Sequence, residues 1–417
     1  MNVIQRKEAG EIAEAPGWLL VFGRRKVGKT FLVKNTLRWD VYFSVRRDLA
    51  IITEGKDVRP FENLSGFYVE VKRLLQEGKT VVVDEFQRLP ESFLDEVASV
   101  HPRGRLILLG SSFRVVHKVF GPGSPLLGLV SEKKLSLVLP SDAFLFMCER
   151  LPPERALLLA PYIRDPWTVE HLGAGDPLRV IYEVLRGAKH SIPALVGEIF
   201  TEEERQLTNT YEAILRLIGS GRWRTNDIAS TLYGRGLLKQ ADPRAVAPYL
   251  SHMEEMDLIE SVQIYRSRAN YLRLKSPIME AFYYLADRYG FEEADVSFGE
   301  VKPTLEKLVN MHAQDFVGQL LAELKEGTRM YYFTPDQEVD FVVAVRGRPQ
   351  LVGEVKLGGV RDRDLRKFVE ITGAFPGAER VLVCREEVEH PELKILTPEK
   401  LLSEMNLPYS TRKPKRP

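Results

Sequence analysis

Eight consecutive residues near the start of this chain have the types and spacing to hold a polyphosphate. Gly23-Arg24-Arg25-Lys26-Val27-Gly28-Lys29-Thr30 reads GxxxxGK[ST], a loop whose backbone N–H groups converge on phosphate oxygens while the start of the next helix adds partial positive charge. Lys29 would reach the β/γ-phosphates, and the Thr30 hydroxyl would hold Mg²⁺. The bland alternative is a glycine turn between a strand and a helix. A second group stands some fifty residues on, where an apolar run ends in Asp84 and Glu85. At a strand's carboxyl end, Asp84 would hold the metal's water shell and Glu85 would polarise an attacking water. Two acids after a strand are commonplace alone and gain meaning from the loop upstream. A third run ends in Ser111 and Ser112, where a hydroxyl can sense a γ-phosphate or simply make a turn.

A separate constellation lies near the C-terminus. Asp340, Glu354 and Lys356 form a D…ExK pattern on two neighbouring expected strands. If Arg346-Gly347-Arg348 is a three-residue hairpin loop, residue 340 sits opposite residue 354. The two carboxylates then face each other at about 5 Å between Cβ atoms, which is costly unless a divalent cation binds both. Lys356, on the same face, can orient or activate water, and Glu306 on the preceding helix can complete a metal-dependent phosphodiesterase site. The pattern is weak alone. Charged strand residues without a ligand, and a remnant site that binds without cutting, stay open.

These residues need an α/β frame. Expected strands at 18–22, 41–45, 80–83, 106–109 and 134–139, with helices at 66–76 and 90–100 between them, imply a parallel sheet covered on both faces. Ligands of such sheets sit at the strands' carboxyl ends, where Gly23–Thr30, Asp84 and Ser111 would converge. The domain reading is an α/β core over 1–140, a proline-broken helical lid over 141–200, a winged helix over 201–290, a second α/β unit over 300–405 and a basic, disordered tail over 406–417. In the winged helix, a helix at 211–218 is followed by one capped by Thr225, and by a third with Asp242 as cap and Pro243 in first position. Strands at 258–264 and 271–275 flank the turn Arg266-Ser267-Arg268-Ala269-Asn270. In the second α/β unit a helix at 305–324 precedes strands at 330–333, 338–345 and 350–356, then a helix at 362–372 and a strand at 380–384.

Composition narrows partners. The 417 residues carry a net charge of +1, so nucleic-acid affinity must come from local patches. Residues 205–275 hold eleven Lys/Arg against seven Asp/Glu. Arg266 and Arg268, with Arg273 and Lys275 just after, favour phosphate contact with double-stranded DNA. The expected recognition helix argues otherwise, with Glu254, Glu255 and Asp257 beside Arg244 and His252; the alternative is a packing module. Two distant cysteines, Cys148 and Cys384, exclude a disulfide framework, and the lack of a signal peptide or a bilayer-length apolar run predicts a cytoplasmic protein with no membrane partner.

Together, Phe22 to Thr30, Val83-Asp-Glu-Phe-Gln87, Leu109-Gly-Ser-Ser112, Ser124-Pro-Leu126, Glu338-Val-Asp-Phe341 and Glu354-Val-Lys356 resemble the archaeal P-loop ATPase family, in the AAA+/signal-transduction NTPase group. Its members join an ATPase core and lid to a winged helix and a C-terminal domain like the PD-(D/E)xK nucleases. The resemblance covers most of the chain. It implies ATP and ADP rather than guanine nucleotides, with Mg²⁺, bound by residues 23–31 including Phe31. It implies that Gly175-Asp176-Pro177 is the lid's GxP turn, with Pro177 near the adenine. It also implies that Glu306 is the first acid of the nuclease-like fold, with Asp315 the competing choice. Where members often carry Gly-Arg after Ser-Pro-Leu, this chain has Gly128-Leu129; Arg88, Arg105, Arg114 or a neighbouring subunit would then supply the arginine. Two functions follow. One is an Mg-dependent ATPase whose nucleotide state controls a DNA-acting module. The other is an ATP-dependent regulatory protein whose C-terminal domain recognises a partner without cutting.

Overall fold

The computed structural model describes residues 3–54, 61, 63–111, 113–173, 175–203 and 205–409. Ser112 and the tail from Ser410 onward lie outside the described residues.

The chain opens with α1 (Lys7–Glu14), β1 (Trp18–Phe22), α2 (Lys29–Thr36), β2 (Val41–Val45), β3 (Ile51–Glu54), α3 (Leu64–Gln76), β4 (Thr80–Asp84), α4 (Ser92–Ala98), β5 (Arg105–Gly110), α5 (Arg114–Phe120) and β6 (Val130–Lys134). The six strands form one sheet in the order β3-β2-β4-β5-β1-β6. All neighbours are parallel except the edge pair β2–β3. Every residue of β1 is buried because helices cover both faces. Leu19 and Val21 pack with Val27, Leu32 and Val33 on one face, and Trp18, Leu20 and Phe22 with Phe67, Val71 and Phe93 on the other.

One expected strand is displaced. The last strand is Val130–Lys134, not 134–139. It is a largely exposed edge strand, so it lacks the apolar signal, whereas the apolar run after it is buried for another reason. Leu135 still donates its N–H to the Phe22 carbonyl (2.7 Å), but Val138 exchanges hydrogen bonds with Arg164 of the following helical region.

That region comprises α6 (Pro140–Cys148), α7 (Pro153–Ile163), α8 (Pro177–Gly187) and α9 (Ser191–Glu202). Three more helices, α10 (Asn209–Gly219), α11 (Thr225–Gly234) and α12 (Pro243–Glu255), precede the hairpin β7 (Ile259–Gln263) and β8 (Asn270–Leu274), then α13 (Pro277–Tyr289). Asp242 caps α12 through the Arg244 N–H, as its position before proline predicts. Thr225 does not cap α11; Arg224, with extended backbone, holds the N-cap position.

The rest is α14 (Phe298–Leu324), β9 (Thr328–Phe333), β10 (Glu338–Val345), β11 (Arg348–Lys356), α15 (Asp362–Thr372), β12 (Glu379–Cys384), β13 (Lys394–Leu396) and α16 (Pro398–Tyr409). These strands form a mixed sheet in the order β13-β12-β11-β10-β9. Buried Leu401 and Met405 carry α16 to Tyr409, past the expected start of the tail. A continuous apolar core joins the helical region, the hairpin unit, α14 and one face of the mixed sheet. No described helix is long and apolar enough to cross a membrane.

Candidate functional site

The sheet of β1–β6 places its loops at one end, and the phosphate-loop residues lie there. Gly28 ends the loop in the left-handed region, φ +92°, with no side chain capping α2. The first N–H groups of that helix have no intrahelical acceptors, so the helix mouth presents donors. Gly23 permits a close crossing: a Cβ there would stand 1.9 Å from the Leu135 carbonyl oxygen. Lys29 folds back under the loop, its Nζ donating to the carbonyls of Gly23 (2.7 Å) and Arg24 (3.0 Å). Burial lowers its pKa to about 8 against the pull of Glu85, Glu202 and Asp84. A cavity of about 750 Å³ opens over the loop, lined by Arg25, Lys26, Val27, Gly28, Lys29, Thr30, Phe31, Glu85 and Ser111 among others. Gly23 and Arg24 are not in its wall: they contribute carbonyls beneath it.

The acid pair stands where the sequence predicts. Thr30 Oγ1 donates to Asp84 Oδ2 at 2.8 Å, and the Tyr42 hydroxyl donates to the same oxygen at 2.6 Å. Asp84 Oδ1 is buried without a hydrogen-bond partner among the described residues, and burial raises the carboxyl's pKa despite both hydroxyls. A hydroxyl oxygen beside a hard, unpartnered carboxylate oxygen fits Mg²⁺ and its waters. Glu85 sits in the left-handed region, φ +59°, an uncommon conformation for a non-glycine residue and one that clusters at functional sites. Its Oε2 accepts from Gln87 Nε2 (2.9 Å) and Ser111 Oγ (3.2 Å) and pairs with Arg88 (2.9 Å). Sequence reading did not find Tyr42, quoted Gln87 only as the end of the Asp-Glu-Phe-Gln run, and named Arg88 only as an arginine source. Arg105 lies at the opposite end of β5, donating to the Ile12 and Ala15 carbonyls, and is removed from that list.

The helical region grips the loop. Arg25 pairs with Glu198 and Glu202 of α9, each at 2.6 Å. Arg24 pairs with Asp165, whose other oxygen accepts from Ser276, the cap of α13. Arg6 reaches the Val27 carbonyl at 2.8 Å. Pro177 is buried as the first residue of α8 and is not among the residues lining the cavity. Pro166, Trp167 and Val169 stand there instead.

In the mixed sheet, Phe341 pairs with Gly353, so Asp340 comes opposite Glu354 one step further along the register. The loop that achieves this is not the expected one. Arg346 and Gly347 form a two-residue turn, both with positive φ, and the ladder skips Gln350; turn and bulge together restore the register. A second irregularity falls beside Asp340, where β10 shifts against β9 between Val339 and Val342. Asp340 Oδ2 accepts the Val355 N–H at 2.7 Å, and burial pushes its pKa up to about 7. Glu354 pairs with Lys356 at 2.5 Å; burial opposes the ammonium charge, yet this bond leaves the Lys356 pKa raised.

The third acid is not brought in. Glu306 is an exposed residue of α14, two turns before Gln314, whose amide reaches the Val355 carbonyl (3.5 Å). Asp315 is consumed by Arg273, Arg329, Gln319 and Tyr331. Among the described residues no three His, Cys, Asp or Glu side chains gather as a metal-holding group.

The basic residues of the hairpin divide. Arg266 and Arg268 are exposed at its tip, Arg266 lying over the Tyr265 ring. Arg273 is buried against Glu280 and Asp315, and Lys275 pairs with Asp257, so neither is free for phosphate. The hairpin is docked on the mixed sheet: Tyr265 donates its N–H to the Tyr331 carbonyl (2.7 Å) and stacks on Phe375. His252 and Glu255 of α12 and its C-cap Met256 share a cavity wall with Arg114 and His117, near the start of α5.

No protein-family model matches the chain, and no curated protein does. Solved structures do show likeness. A Walker-type ATPase of Pyrococcus abyssi matches at 18% identity over 67% of this chain and 96% of its own, with a TM-score of 0.48. The ORC2 protein of Aeropyrum pernix, solved with ADPNP and ADP, matches at 14% identity over 73% and 90%, TM-score 0.38. The ORC1 protein of the same organism, solved with DNA, matches at 15% over 70% and 94%, TM-score 0.33.

Proposed function

We propose that this chain binds and hydrolyses Mg²⁺-bound ATP, and that occupation of this site is relayed to its C-terminal half. The observation that supports the first part is the uncapped mouth of α2, with Lys29 beneath it and the Thr30–Asp84 pair beside it. Amides 28–31 and Lys29 would bind the β- and γ-phosphates; Thr30 and Asp84 would hold the metal, which supplies charge neutralisation between those phosphates. Glu85, leaving Ser111, Gln87 and Arg88, would accept a proton from the attacking water. Adenine is the base that the family resemblance implies.

The relay reading rests on contacts. Both loop arginines are tied to the helical region, and Asp165 joins Arg24 to the cap of α13. From α13, Glu280 meets Arg273, which meets Asp315 of α14, which meets Arg329 of β9. A phosphate that draws on Arg24 or Arg25 would alter the first link of this chain of buried charges.

For the C-terminal half, a winged-helix and nuclease-like module acting on DNA is supported by Asp340, Glu354 and Lys356 standing together and by exposed Arg266 and Arg268. A non-cutting recognition domain is the second reading. It is favoured by Glu306 standing exposed on α14 and by the docking of the hairpin on the mixed sheet.

The test is calorimetry with Mg-ADP alongside ATP turnover, for the parent and Lys29→Ala. The parent should bind and turn over, and the variant should lose turnover by ~100-fold or more. Absence of binding by folded parent protein would overturn the reading.

A further inference from the structure

We infer that Arg25 is the residue by which this site tells a nucleoside triphosphate from a diphosphate, and that Glu198 and Glu202 of α9 compete with the terminal phosphate for its guanidinium. The inference rests on the reading of the phosphate loop given above and adds how the last phosphate is recognised.

The two loop arginines diverge. Arg24 turns into the protein, its side chain 1% exposed and paired with Asp165. Arg25 turns into the cavity and shares its wall with Lys29, Glu85 and Ser111. Glu85 accepts a proton from the attacking water in that reading, so the terminal phosphate faces this part of the wall. Arg88 also touches Glu85 but is not among the residues lining the cavity. Of the other cations in the wall, Arg6 is held by Glu8 and the Val27 carbonyl, and Lys34 by Glu54. Lys26 is exposed, as is Glu170, the wall's second acid.

The Arg25 guanidinium is already engaged. Its Nε stands 2.6 Å from Glu198 and its Nη1 2.6 Å from Glu202. Burial works against its charge, yet Glu202, Glu198 and Glu85 leave its pKa raised. Arg47 gives Glu198 a second cation at 3.4 Å. Glu202 has less support: its Oε2 is buried without a partner among the described residues.

A phosphate offers a guanidinium the same paired oxygen acceptors as a carboxylate, with more charge. The exchange is opposed twice. Arg25 must leave two carboxylates, and the phosphate must approach them. Glu202 is close enough to Lys29 to support its ammonium charge against burial, so it also acts on an anion held by Lys29. A diphosphate ends short of Arg25 and leaves its ion pairs intact. Only the third phosphate draws the guanidinium away from α9.

The experiment is calorimetry on the full chain with Mg-ADP and with Mg-ADPNP, whose β–γ bridge resists hydrolysis. The proteins are the parent, Arg25→Ala, Lys26→Ala and the double change Glu198→Gln with Glu202→Gln. Expected for Arg25→Ala is ~10- to 100-fold weaker ADPNP binding, with ADP affinity within about 3-fold of the parent. The glutamine pair should act in the opposite sense, tightening ADPNP by ~3- to 10-fold more than ADP. In the Arg25→Ala background the glutamine pair should no longer change the ratio of the two affinities. Lys26→Ala should weaken both ligands in step. Arg25→Ala that weakens both ligands equally, or neither, overturns the inference and leaves the phosphate loop standing. A glutamine pair that leaves the ratio at its parental value also overturns it, because α9 would then hold nothing back. So does Lys26→Ala that matches Arg25→Ala, because charge alone would then explain the loss. A parent that binds neither ligand removes the phosphate-loop reading and this one with it.

Discussion

Arg24, the second residue of the phosphate loop, forms a buried ion pair with Asp165, 141 residues further along the chain. Both side chains are 1% exposed. Two guanidinium nitrogens, Nε and Nη1, have no hydrogen-bond partner among the described residues, so Asp165 is the anion that balances this buried charge. Removing it with Asp165→Ala leaves an uncompensated cation and should cost about 3–5 kcal/mol of stability, whereas the double change Arg24→Met with Asp165→Leu should recover most of that loss. Chemical denaturation reads both. A single variant within about 1 kcal/mol of the parent contradicts the assignment of the pair as the loop's anchor.

Glu85 makes the sharpest test of chemistry against binding. Its carboxylate faces Ser111, Gln87 and Arg88 and lies outside the amide cradle. Glu85→Gln keeps the shape and a carbonyl acceptor but cannot take a proton. ATP turnover should fall ~100- to 10,000-fold with nucleotide affinity unchanged. Equal losses in both measurements would place Glu85 in binding and remove it as base.

What the sequence made legible was local or periodic. The phosphate loop is contiguous, and its residue types are strict, so Lys29 and Thr30 were readable without a fold. Asp340 and Glu354 were readable because strand side chains alternate, and their register survived a wrong turn assignment because the Gln350 bulge offsets the shorter loop. Edge strands such as Ile51–Glu54 and Val130–Lys134 lack an apolar pattern because one side meets water. Asp165 gains its role from Arg24 and Ser276, each more than a hundred positions away, which no spacing encodes. Arg273 looked like a phosphate contact because charge in a sequence carries no burial; the fold pairs it inside. The family resemblance puts the first acid at Glu306 on the helix before these strands, but that helix begins at Phe298 and presents the residue to solvent.

The two readings of the C-terminal half separate at Lys356. Its ammonium holds Glu354 at 2.5 Å, beside Asp340. If the half cuts, Mg²⁺- or Mn²⁺-dependent cleavage of duplex DNA should drop ~100-fold or more in Lys356→Ala. Equal cleavage by parent and variant removes Lys356 from the chemistry. No cleavage by the parent, with duplex binding that weakens when Arg266 and Arg268 are neutralised, selects the recognition reading.

Asp142 gives a pH test that needs no ligand. Its carboxyl is 1% exposed, accepts the Lys7 N–H at 2.8 Å through Oδ2, and has an unpartnered Oδ1 among the described residues. Burial pushes its pKa up to about 7. An unfolded aspartate releases its proton near pH 4. Between these values the folded state holds a proton that the unfolded state has lost, so the contribution to stability is full below about pH 4 and is lost as pH rises through 7. Asp142→Asn keeps an acceptor for the Lys7 N–H and removes the titration. Relative to the parent, the asparagine variant should gain roughly 2–3 kcal/mol between pH 5 and pH 8. Urea unfolding at the two pH values measures the difference. A gain that is the same at both would mean that Asp142 is already ionised in the folded protein, with its charge balanced by Arg6 and the start of α6.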